Sequence, residues 1–229
     1  MPASLTVLCP LAAERQALAR SRRWRAAMAD RSGADLTVAV VGPGSAVASW
    51  IDRERPAGPL VLVGVAGGLT AGANVGAAGI VDRVVDPSGR EVARPLAPAA
   101  WPGARWTVAS ADAAVSSPAA KAELARRSGA SIVDMESAAF ARAATARGLP
   151  FAIVRGVSDG ADDALPDGVE RLVDRDGQTR IGEAIRLIAR HPTSLGALVT
   201  LGRRTQRAMD AAAEALACVV ASFAAEARR

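Results

Sequence analysis

The chain has 229 residues, half of them apolar, which is enough for one large α/β domain or two small ones and argues against disorder. Aromatic residues are scarce, at 3% with no Tyr, and the net charge of +5 comes mostly from eight Arg against four acids after residue 178, so the near-neutral body does not fit a nucleic-acid binder. Two widely spaced cysteines, Cys9 and Cys218, suit a reduced cytoplasmic protein, and a single histidine, His191, disfavours a His-based metal site or a Ser-His-Asp triad.

"SLTVLCPLAAERQALARSRRW" reads as a short strand, a turn and a helix from about Ala12, with Glu14 in its first turn, where a carboxylate also suits the helix dipole. Residues 36–41 repeat the pattern: a strand, the turn Gly42-Pro43-Gly44-Ser45, and a helix from about Ser45 whose first amides could hold an anion or simply complete a tight turn. A strongly apolar strand at 60–65 runs into the glycine-rich stretch Gly64-Val65-Ala66-Gly67-Gly68-Leu69, which lacks the dinucleotide fingerprint and a P-loop lysine. A strand near 79–85 follows, and then a Pro- and Ala-rich stretch, 86–105, expected to be loop. "RWTVASADAAVSSPAAKAELARRSG" predicts a strand, a loop and a short helix opened by a proline.

The stretch "SIVDMESAAFARAATARGLPFAIVRGVSDGADDA" predicts strand 131–135, helix 137–147 and strand 151–157. Both strands end in acids. Asp134 and Glu136 flank Met135 and so share one direction, and one acid would suffice to cap the helix. Asp159 follows Ser158 at the second end, with Asp162 and Asp163 beyond. Strands alternating with helices, with near-continuous apolar strands, predict a three-layer α/β/α fold around a central mixed, mostly parallel sheet, with ligands beyond the strands' carboxyl ends. The tail is a C-terminal helical extension (191–229) of the domain formed by 1–190. Ile181, Ile185 and Ile188 mark one helical face before Pro192, and Met209, Ala213, Leu216, Val220 and Phe223 recur at 4, 3, 4, 3 spacing. The helix could pack on the core, or its Arg203, Arg204 and Arg207 could meet an anionic membrane beside Leu195, Leu198 and Leu201.

"VDMES…GLPFAIVRGVSDGADD" resembles the purine nucleoside phosphorylase and nucleosidase superfamily, in which a strand ends in Met-Glu, a helix and a Pro follow, and the next strand ends in Ser-Asp. "VGVAGGL" resembles its glycine loop and "LAAE" the nucleosidase branch, and the likeness runs in order over most of 4–190. "DMES" and the Arg-rich tail resemble the hopanoid-associated phosphorylases, which release adenine from adenosylhopane. The resemblance implies cleavage of a purine N-glycosidic bond by a cytoplasmic enzyme, with peripheral contact at the inner membrane face and a dimer as further expectations. Glu136 would bind the ribose 2′ and 3′ hydroxyls with Met135 under the sugar; Asp159, as a carboxylic acid raised by burial, would serve the base beside Ser158, Ala114 and Val115. Glu14 would activate a water, and Gly44, Val65 and Gly67 would border a phosphate or water site. No metal or organic cofactor is implied, and phosphate is a candidate co-substrate. Val65 replaces a common Ser or Thr, "CPLAAE" lacks a phosphate-binding Arg, and Ala114 stands where nucleosidases have an aromatic residue; hydrolysis stays open beside phosphorolysis. A methylthioadenosine/S-adenosylhomocysteine nucleosidase and a non-catalytic nucleoside-binding protein are the alternatives.

Overall fold

The computed structural model describes residues 4–29, 36–99, 101–165, 172–179 and 194–226. In chain order these form β1 (Leu5–Cys9), α1 (Ala12–Arg20), α2 (Arg22–Ala29), β2 (Leu36–Val40), α3 (Ala46–Glu54), β3 (Leu60–Gly68), β4 (Ala78–Val85) and β5 (Glu91–Ala93). They continue as β6 (Ala104–Ser110), α4 (Pro118–Ser128), β7 (Ile132–Asp134), α5 (Ser137–Ala146), β8 (Phe151–Asp159) and α6 (Ser194–Glu226).

The strands form one eight-stranded mixed sheet in the order β2-β1-β3-β7-β6-β4-β5, with β8 paired to both β3 and β4. β8 runs parallel to β3 over nearly its whole length and antiparallel to β4, while β7 joins β3 antiparallel and β6 parallel. With the parallel β4–β6 pair, this closes a ring of β3, β8, β4, β6 and β7. β7 is short and pairs antiparallel with only the last residues of β3, Gly67 and Gly68, which sets Asp134 near the carboxyl ends of β3 and β8 at one rim of that ring.

Side-chain alternation builds the layers. Val7, Val61 and Val154 point to a core shared with Leu18 of α1, Trp24 of α2 and Met209, Leu216 and Phe223 of α6. Their neighbours Leu8, Leu62 and Ile153 point to the opposite core, shared with Val47 and Ile51 of α3 and Phe140 and Ala144 of α5. β8 is buried along its whole length, as expected of a strand covered on both faces. The 4, 3, 4, 3 stripe of α6 is this core face: Met209, Ala213, Leu216, Val220 and Phe223 are all buried. α4 starts as its sequence implies, with Ser117 Oγ accepting the Ala120 N–H at 3.2 Å and Pro118 in the first turn.

Three features differ from the sequence expectations. The 86–105 stretch contains β5, a three-residue antiparallel edge strand on β4. The helix expected from Ala12 is two helices, broken at Ser21, whose hydroxyl donates to Asp210 Oδ1 of α6 at 2.5 Å. The glycine-rich stretch is the second half of β3 up to Gly68, not a loop. The stripe of Ile181, Ile185 and Ile188, Pro192 and the 190/191 boundary lie outside the described residues.

Candidate active site

Each acid reaches the rim from a different element. Glu14 stands in the first turn of α1, fully buried; its Oε2 accepts the Leu11 N–H and its Oε1 the Val65 N–H, both at 2.8 Å. Glu136 lies between β7 and α5, and Asp159 ends β8. Together with Met135, Ser158, Val65, Gly67, Ala114 and Val115, they line one cavity of about 290 Å³. Gly44 is outside that lining; its amide donates to Glu136 Oε1 at 2.9 Å. The amides of Gly44 and Val65, expected to border a phosphate or water site, therefore hold the protein's own carboxylates.

The glycines of β3 have a steric reason. A Cβ on Gly64 would sit 2.4 Å from Arg155 Nη1 and 2.6 Å from Glu14 Oε1, and one on Gly67 would sit 3.0 Å from Asp159 Oδ2. Their absent side chains make room for these charged groups.

Two cations behind the cavity wall were missed in the sequence. Arg155, on β8, is fully buried beneath the site. Its Nε donates to Asp134 Oδ2 at 2.8 Å and its Nη2 reaches Asp134 Oδ2 at 2.5 Å and Glu136 Oε2 at 3.2 Å. Asp134 thus supports the site through Arg155, and its Oδ1 also accepts the Ser137 N–H that opens α5. Arg155 Nη1 has no partner among the described residues and lies beside the same Cβ position of Gly64 as Glu14. Lys121, on α4, is fully buried with Nζ 2.5 Å from Asp159 Oδ2. Asp159 was expected as a carboxylic acid set by burial alone; the structure places an ammonium against it. Its other oxygen accepts from Ser158 Oγ at 2.8 Å. An Arg inside the apolar run "FAIVRGVSD" was the available signal for Arg155.

Burial pushes Glu14 up to about 7, against the opposing pull of Arg155, so this carboxylate can exchange a proton near neutrality. Burial also raises Glu136, with Arg155 pulling it down and Asp134 adding to the rise. Burial likewise pushes up the Cys9 thiol nearby, which keeps it an inert core residue.

The lining also carries small side chains, Ala113 and Ala114. At the mouth the lining turns apolar, with Leu11, Leu165, Val173 and Leu201 of α6. The described lining carries Glu14, Asp134, Glu136 and Asp159 and includes neither Lys nor Arg.

Residues 104–190 match the Phosphorylase superfamily model. They begin at β6 and include the elements that carry Lys121, Glu136, Arg155 and Asp159. A 54-residue stretch is 50% identical to the 5′-methylthioadenosine/S-adenosylhomocysteine nucleosidase of Treponema pallidum (strain Nichols), covering 24% of this chain and 20% of that relative. The whole fold is that of solved nucleosidases. The Neisseria meningitidis 5′-methylthioadenosine/S-adenosylhomocysteine nucleosidase, in complex with methylthio-immucillin-A, superposes with a TM-score of 0.65 at 20% identity, over 96% of this chain and 99% of that one. Native Helicobacter pylori futalosine hydrolase gives 0.64 at 15% identity, over 97% and 99%.

Proposed function

We propose that the protein is an enzyme that cleaves the N-glycosidic bond of a purine nucleoside, with water as the nucleophile. The observation that carries this reading is the meeting of Glu14, Glu136 and Asp159 around one cavity. Cleavage builds positive charge on the ribose and negative charge on the departing base. Glu136, fixed by the Gly44 amide and Arg155, would accept hydrogen bonds from the ribose hydroxyls, with Met135 packing under the sugar. Glu14, able to exchange a proton near neutrality, would take one from the attacking water, and the unpartnered Arg155 Nη1 is a donor available beside it. Asp159, beside Ser158, would protonate the purine at N7. A phosphate dianion is disfavoured in a cavity whose described lining carries four carboxylates and no cation. The small Ala114 and Val115 would leave the base unstacked on that side.

The apolar mouth favours a purine nucleoside with an apolar 5′ substituent. Adenosylhopane, releasing adenine in hopanoid synthesis, is the large case, and methylthioadenosine, suggested by the names of the related nucleosidases, the small one. A lipid-linked substrate would be reached by peripheral contact of the exposed start of α6 with the inner membrane face. Adenine release from adenosine, methylthioadenosine, S-adenosylhomocysteine and adenosylhopane, with and without phosphate, tests the reading. Release that ignores phosphate and rises with pH through about 7 is expected. Release from none of the four would leave only a nucleoside-binding protein, and dependence on phosphate would make the enzyme a phosphorylase.

A further inference from the structure

Lys121 is the single lysine in a chain with 28 basic residues. Its ammonium is fully buried and has three acceptors: Asp159 Oδ2 at 2.5 Å, the Gly160 carbonyl at 2.7 Å and the Asp163 carbonyl at 3.0 Å. An ammonium has three N–H groups, so none is left for a substrate. The cage fits a compact point charge and not the five-donor fork of arginine. Whatever Lys121 does for a reaction, it does through Asp159.

The cage is itself held from outside. Asp163 Oδ2 accepts the Gly160 N–H at 2.8 Å, closing the loop after β8, and accepts Arg204 Nη1 of α6 at 2.9 Å. Arg204 neighbours Thr205 and lies one turn from Leu201, both of which line the cavity mouth. A continuous polar chain therefore runs from α6 through Asp163 and Lys121 to Asp159.

We propose that Lys121 is a positioning residue for departure of the base, locked in place by the Asp163–Arg204 pair. This rests on the cleavage reading above. By holding Oδ2, Lys121 leaves Oδ1, which otherwise accepts from Ser158 Oγ, as the oxygen that meets the base. When the glycosidic C–N bond breaks, its electron pair stays with the base and the Oδ1–H proton passes to a purine ring nitrogen. Water supplies the hydroxyl that bonds the sugar carbon, and Glu14 takes the water's other proton. Asp159 ends as a carboxylate already paired with the ammonium, so the charge that appears there meets a fixed counter-ion.

The test compares two leaving groups. A purine riboside needs protonation on departure; a 4-nitrophenyl riboside leaves as a stable phenolate. In Lys121→Met, kcat on the purine nucleoside is expected to fall by about 100-fold, within the usual range for general acid catalysis. The fall on the nitrophenyl riboside is expected to be at least about tenfold smaller. Asp163→Asn should show the same selectivity with a smaller loss. Equal losses on both substrates, or a purine kcat within about threefold of wild type in Lys121→Met, would overturn the proposal. Because Lys121 is the only lysine, ¹⁵N-lysine labelling gives one side-chain signal in the wild-type protein. Bound adenine should move it whether or not cleavage occurs, and adenine bound without any shift also overturns the proposal. Wild-type protein that binds adenine, shifts the signal and cleaves no nucleoside would instead overturn the cleavage reading.

Discussion

Glu14 couples the stability of the fold to pH through its burial. Folded, it binds a proton below about 7; unfolded, only below its ordinary 4.5. Stability from this group is complete below that ordinary value and is lost as pH rises through about 7, an interval worth about 3 kcal/mol. Glu14→Gln removes the titration. We expect thermal melts of the two proteins to diverge between pH 5 and 8, with wild type losing about 3 kcal/mol relative to the variant. Parallel pH profiles would show that Glu14 does not titrate in this interval. Glu14 itself was legible because an acid in a first helical turn can be singled out on a sequence. Its surroundings were not: the Val65 amide and the Gly64 backbone come from a strand some fifty residues away. Lys121 was overlooked although it is the chain's only lysine, because an exposed-looking helix position gives no hint of a buried cage thirty-eight residues distant.

At the scale of elements, β8 and α6 bring the site and the core together. Gly156 follows Arg155, and a Cβ there would lie 2.3 Å from the Ala208 carbonyl oxygen and 2.7 Å from its carbon. Both are backbone atoms in the part of α6 that lies directly on the strand, so the helix must move away or the strand must bend. Gly156→Ala should destabilise the protein by about 1–3 kcal/mol, the usual cost of overpacking. In a domain of this size that lowers Tm by several degrees, at about 2–4 °C per kcal/mol. An unchanged melting temperature would mean that α6 rests less firmly on β8 than this contact indicates. The apolar stripe of α6 was readable because five core positions keep helical spacing. β5 was not, since a three-residue edge strand among prolines leaves no periodic pattern, and β3 was cut short because its glycines look like a loop until the side chains that need the space are known. The mixed sheet followed from alternating apolar segments, but the closed ring depends on β8 pairing with both β3 and β4, which no local pattern encodes.

For the molecule as a whole, the net positive charge is concentrated at the C-terminal end of the chain, which also holds a strongly apolar helix. The segment Leu198–Glu226 is long and apolar enough to cross a membrane. Its stripe from Met209 to Phe223, however, is buried against the sheet and α1, so insertion would cost the core itself. Cutting the chain after residue 191 would remove those core positions, so point changes are the fair test of membrane contact. The exposed start of α6 is the surface that remains: Val199 is 46% exposed, and Arg203 and Arg207 face solvent. Each basic residue near an anionic surface contributes about 1 kcal/mol, and screening shortens its reach as salt rises. Full-length protein should therefore sediment with phosphatidylglycerol vesicles at low salt and be released at about 0.5 M salt, where the Debye length is only a few Å. Arg203→Glu with Arg207→Glu should abolish sedimentation, and Val199→Ser should weaken it. Neither change touches the cavity lining, so cleavage of a soluble nucleoside should persist in both variants. Equal sedimentation of wild type and the double variant would remove the membrane from the reading and leave α6 as a packing helix whose arginines face water.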